Sequence, residues 1–174
     1  MKVYLGLMGL CAPAIALGVG ALLGTASAHA DTTTTFPCGL ACDNSTVSVT
    51  SADNGRSVTK EYTSKDGTVR TRVSGKGPDL VFFNPNDPSV TYPLKGNGSN
   101  AWTKINPDGT ATLTVTGHNV LVYYPTDTLL EGEPGPATQL ITGRTVVNVD
   151  ADGNWTTASQ SGRVTDICAQ LPPD

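Results

Sequence analysis

After residue 45 the chain alternates apolar and polar residues with a period of two, the signature of half-buried strands. Residues 108–127 show this most fully. An Asp-Gly turn leads into Thr112, Leu113, Thr114, Val115 and Thr116, Gly117 interrupts the pattern, and Val120 to Tyr124 run apolar until Pro125. Residues 66–87 repeat this arrangement, and residues 152–168 do so more loosely. Asp66-Gly67, Asp108-Gly109 and Asp152-Gly153 open the three units, and Gly75, Gly117 and Gly162 follow nine or ten residues later. A lone glycine inside a strand pattern marks a bulge or bend, so each unit predicts a hairpin whose second strand is bent. Asn54-Gly55 predicts a further tight hairpin turn. Pro85, Pro88 and Pro93 consign their stretch to an edge or a loop, because proline cannot donate to a ladder. The Gly- and Pro-rich interval 127–138 predicts the longest loop, and no amphipathic helix follows residue 30.

The pattern predicts an all-β fold, an antiparallel up-and-down meander of about eight strands closing into a small barrel. A β-trefoil and a β-sandwich are the alternatives, the trefoil suggested by the three-fold repeat. Val115, Leu121, Val122, Leu80, Phe82, Val147 and Val149 are the expected core.

Residues 1–30 have the pattern of a signal peptide. Lys2 precedes a long apolar run, and Ala28-His29-Ala30 offers a small-x-small cleavage site. Kept uncleaved, the run is long enough to act as an anchor, which is the one membrane association the sequence implies. Cleavage near Ala30 leaves 144 residues, read as an irregular lead-in over 31–44 and a single β domain over 45–174.

The full chain has eleven Lys and Arg against fifteen Asp and Glu. Without Lys2 its net charge is −5. No basic run occurs, which argues against a nucleic-acid partner. Three cysteines follow residue 30. In an exported chain they predict one bridge and one odd thiol. A closed sheet with an even number of strands would bring the end of the last beside the start of the first. That geometry predicts Cys168 bonded to Cys42, or to Cys38, over the competing short bridge Cys38–Cys42.

His118 is the one histidine after residue 30, and it stands at the Gly117 bend. It is the candidate acid/base of a small barrel hydrolase or isomerase, although no nucleophile motif accompanies it. Asp150, Asp152 and Asn154 alternate as a calcium loop begins, but Trp155 stands at its glycine position and Ser161 at its closing glutamate. A hairpin turn explains these residues more simply. No metal or cofactor is expected. Trp102, Trp155, Tyr62, Tyr92, Tyr123 and Tyr124 are candidates for stacking on a sugar or apolar ligand. These features favour a secreted, non-enzymatic binding or structural module, with a small ligand or envelope component as partner.

The long Gly/Ala-rich leader, the Asp-Gly hairpins, T-G-R-T-V-V-N-V-D-A-D-G-N over 142–154 and S-G-R-V-T-D-I-C-A-Q-L over 161–171 together resemble small exported proteins of high-GC actinobacteria. That resemblance implies export and a β-rich fold. The group has no assigned activity, so it carries over no catalytic residue.

Overall fold

The computed structural model describes residues 31–174; residues 1–30, where a signal peptide is expected, lie outside them. Ten strands form two antiparallel sheets: β1 Thr32–Phe36, β2 Val47–Ser51, β3 Arg56–Thr63, β4 Val69–Lys76, β5 Leu80–Asn84, β6 Asp87–Leu94, β7 Gly98–Ile105, β8 Ala111–Tyr123, β9 Ala137–Val149 and β10 Trp155–Asp166. The order is β1-β2-β5-β6 in the smaller sheet and β10-β9-β8-β7-β4-β3 in the larger. Among the described residues there is no α-helix, only two 3₁₀ turns at Leu130–Gly132 and Cys168–Gln170.

The connectivity is that of a meander in which β2–β3, β4–β5 and β6–β7 are three long segments that each pass from one sheet to the other. Asp79 ties these three crossings together. Its carboxylate accepts from the Gly96 N–H at 2.7 Å and from Lys95 Nζ at 3.0 Å. Its own N–H donates to Asn54 Oδ1 at 2.8 Å, and its carbonyl accepts from Ala52 N at 2.9 Å. Asn54-Gly55 is therefore a corner between sheets, not the expected hairpin: β2 pairs β5, and β3 pairs β4.

The three Asp-Gly turns share one geometry. The first turn residue (Ser64, Asn106 or Asp150) exchanges backbone bonds with the fourth and fifth, and the glycine takes φ of +81°, +85° or +84°. Only the glycine is left-handed, as in a three-residue hairpin loop that closes through a glycine bulge.

Ser57, Gly75, Ser99, Gly117, Gly143 and Gly162 lie opposite one another across six consecutive strands. The sheet folds along this row. Ala111 pairs Val149, which pairs Trp155, and Tyr123 lies at the far end of β8. A straight strand would separate Tyr123 from that end by roughly 40 Å. The Tyr123 and Trp155 rings nevertheless meet edge to face with centroids 6.2 Å apart, and Tyr123 Oη hydrogen-bonds Thr157 Oγ1 at 2.9 Å. The fold line divides the sheet into a turn arm, which carries the short hairpin turns, and a loop arm, which leads to residues 124–136.

The inner core lies between the arms, where Val73, Ala101, Leu113, Val115, Val147 and Trp155 meet Leu121, Tyr123 and Ile141. The smaller sheet covers the other side of the loop arm, so that Phe36, Val47, Val49, Leu80 and Phe82 pack on Val120, Val122 and Leu140. Residues 119–123 are thus buried on both faces, which accounts for the unbroken apolar run there. Six of the seven expected core residues are buried, and Val149 is half-buried against the inner core.

Two further expectations are corrected. Neither sheet closes into a barrel among the described residues. β3 is an edge of the larger sheet, and the bends are spent on folding the sheet over itself. Thr128 brackets Trp155 and Thr157 on the opposite edge. The lead-in is not irregular throughout: β1 pairs β2, with Thr33–Thr50 and Thr35–Ser48 hydroxyl bonds of 2.8 Å, and Phe36 enters the core. The proline-bearing β6 does take the edge of the smaller sheet.

Cys42 and Cys168 form a disulfide with Cα atoms 5.6 Å apart, and Cys38 is exposed and free. Beyond β10 the tail returns to the start of β2. The Asp174 carboxylate accepts from Thr46 N and Oγ1 and from the side chains of Asn84 and Asn86. These donors hold its carboxyl well below the usual range, Thr46 contributing most. Disulfide and tail join the chain ends where strand pairing does not. A disulfide is compatible with an oxidising, extracellular location.

Candidate binding face

Except at its edge strand β3, which is exposed throughout, the turn arm is covered on its inner side and open on its outer side. In β4, β7, β8 and β9 the even-numbered residues face outward, because the odd-numbered ones supply the inner core, and in β3 the even-numbered residues share that face by register. The outer positions carry Lys60 and Tyr62 on β3, Arg70 and Arg72 on β4, Trp102 and Lys104 on β7, and Arg144 on β9, all exposed. Thr112, Thr114 and Thr116 fill β8 between them. Half of the ten Lys and Arg after residue 30 stand on this surface, and no Asp or Glu occupies an outward position of its strands.

Register sets these cations against one another. Lys60 lies directly opposite Arg72, and Arg70 opposite Lys104. At the corner end of the same strands Arg56 lies opposite Lys76. Like charges directly opposite are destabilising in a sheet. The ion pair found among the described residues, Lys95 with Asp79, is elsewhere. Two turn carboxylates lie near the far end of the face. Asp66 and Asp108 sit below their ordinary pKa chiefly through bonds from Thr68 and Thr110, with smaller contributions from Arg70 and Lys104.

Aromatic side chains stand among the cations. Tyr62 is 59% exposed and Trp102 39%. The Arg72 guanidinium lies 5.4 Å from the Trp102 ring centroid, a cation–π contact, and Arg72 Nη2 donates to Asn100 Oδ1 at 3.4 Å.

The other residues singled out from sequence lie elsewhere. Trp155 and Tyr123 are buried in the inner core, and Tyr92 and Tyr124 pack on the outer one. His118 is half-buried, and its Nδ1 lies 3.3 Å from Thr142 Oγ1. No cluster of three or more His, Cys, Asp or Glu side chains able to hold a metal occurs among the described residues. Asp150 spends its carboxylate on its own turn, accepting from Asn154 N at 2.8 Å and Nδ2 at 3.0 Å, which lowers its pKa. Two open clefts, each of about 270 Å³, lie beside the disulfide (Asp43, Pro136, Asp166) and between two hairpin ends (Asn106, Asn148, Thr156).

No family model, curated protein or solved structure matches the chain. The site therefore rests on its own chemistry. The sequence reading missed it because the cations are scattered along the chain. The alternations Lys60-x-Tyr62, Arg70-x-Arg72 and Trp102-x-Lys104 were the available signal, since residues two apart on a strand share a face.

Proposed function

We propose that the protein is a secreted, non-enzymatic binding module of the extracellular space or cell envelope, exported by a signal cleaved near Ala30. The outer face of the turn arm is its contact surface. The observation that carries this reading is the pair of opposed cation pairs, Lys60–Arg72 and Arg70–Lys104, beside exposed Trp102 and Tyr62. An arrangement that costs the free sheet stability and exposes a large indole is explained by a partner that covers both. The disulfide agrees with export. Among the described residues His118 hydrogen-bonds a threonine hydroxyl and not the carboxylate that would orient an acid–base histidine.

Fractionating the producing cells tests the proposal. The protein is expected in the envelope fraction with Cys42 and Cys168 oxidised, and salt should release it. A Lys60→Gln, Arg72→Gln, Arg144→Gln variant should appear in the medium instead. Retention in the cytoplasm with both thiols reduced, or identical partition of the variant, overturns the reading.

A further inference from the structure

We propose that the outer face of the turn arm binds an acidic polysaccharide, a chain of sugar rings bearing carboxylates. This rests on the binding reading above and names its ligand class. From β3 to β9 the face crosses five adjacent strands, about 19 Å at the usual strand spacing, so it suits an extended polymer more than a small ligand. The charge is complementary to a polyanion, since the outward positions of these strands carry five cations and no carboxylate. Three of the five cations are arginines, whose planar fork takes a carboxylate through two parallel bonds. Trp102 gives a flat apolar surface on which a sugar ring can lie, and the hydroxyls of Thr112, Thr114 and Thr116 supply the donors and acceptors a polyol requires.

Nucleic acid shares the negative charge but fits less well. Phosphate oxygens only accept hydrogen bonds and would use the Thr112, Thr114 and Thr116 hydroxyls as donors alone, whereas a polyol uses them both ways. An uncharged polysaccharide would use the tryptophan and leave the opposed cations unexplained.

Trp102 reports on binding directly, because Trp155 is buried in the inner core. The purified protein is titrated with polygalacturonate, with dextran and with single-stranded DNA while tryptophan emission is followed. The expected result is saturable quenching by polygalacturonate that weakens as salt rises, with no response to dextran. Arg72→Gln and Arg144→Gln should each weaken binding on the order of tenfold, the loss of one charge-assisted bond. Lys65→Gln, in a turn outside the face, should not. Lys104→Gln provides a second reading should Arg72→Gln disturb Trp102 itself.

Absence of saturable binding to polygalacturonate overturns the proposal, as does equal affinity for dextran. Displacement of polygalacturonate by a lower concentration of DNA assigns the face to nucleic acid and overturns it too. Failure here, with envelope partition still lost in the triple variant, leaves the face a binding surface for another ligand. Failure of both removes the face from the function altogether.

Discussion

Gly117 and Gly143 lie opposite each other in β8 and β9, with φ of +94° and +155°, in the row along which the sheet folds. A β-carbon on Gly117 would run into the Gly98 carbonyl and one on Gly143 into that of Ser161. Both obstacles are backbone, which cannot swing aside as a side chain does. A left-handed φ costs an L-residue roughly 1–2 kcal/mol even without a clash. Gly117→Ala and Gly143→Ala should each therefore destabilise by more than about 2 kcal/mol. Gly109→Ala, at a turn with open space around the added carbon, should cost only the conformational part. Urea denaturation of the three variants checks this, and equal losses at all three would show that the fold line tolerates side chains.

The Cys42–Cys168 bridge spans 126 residues of sequence. In the chain-entropy model a loop of this size is worth about 4–5 kcal/mol. Cys168→Ser should lower the denaturation midpoint to that of the reduced parent, whereas Cys38→Ser should leave it unchanged. Peptide mapping without reduction should join the fragments holding residues 42 and 168 and leave Cys38 open to alkylation.

Thr145 is fully buried between Val115 and Gln160, and its Oγ1 has no hydrogen-bond partner. Ser99 Oγ, Asn119 Nδ2 and Gln160 Nε2 are likewise unpaired on strands near the fold line. An unsatisfied buried polar group costs about 1–3 kcal/mol, and valine has nearly the same shape as threonine. Thr145→Val should therefore raise the thermal midpoint. A fall would mean that this hydroxyl has a partner in solution.

Asp79 makes the fold acid-sensitive at the corner between the sheets. The Gly96 N–H, and after it Lys95, hold its pKa down to about 2. A carboxyl with a depressed folded-state pKa contributes stability that is complete above its unfolded value, about 3.9, and is lost as pH falls through the folded one. The window is thus about pH 4 down to pH 2. Asp79→Asn should be less stable than the parent at pH 6, and the difference should shrink across that window. Urea midpoints at pH 6, 4, 3 and 2 measure it. Asp66, Asp108, Asp150 and Asp174 titrate in the same direction and remain in the variant, so some acid sensitivity persists.

The all-β class, the three Asp-Gly turns, the bends at Gly75, Gly117 and Gly162, and most of the core were legible in the chain, because each depends on residues within a few positions of one another. An apolar–polar alternation places a side chain on one face of a strand whatever lies beyond it, and glycine marks a backbone that other residues resist. The course of the bent sheet was not legible. A bend can roll a sheet into a barrel or fold it flat on itself, and which occurs depends on whether distant faces fit. Here Tyr123 meets Trp155 and the smaller sheet covers Val120 and Val122, so the sheet folds over instead of closing. The threonine run 32–35 became a strand for the same kind of reason, since β2 offered an edge with hydroxyls in register. The candidate site belongs wholly to tertiary structure. Lys60, Arg72, Trp102 and Arg144 are scattered over 85 residues, and only the pairing of their strands brings them to one surface, because charge acts through space and not along the chain.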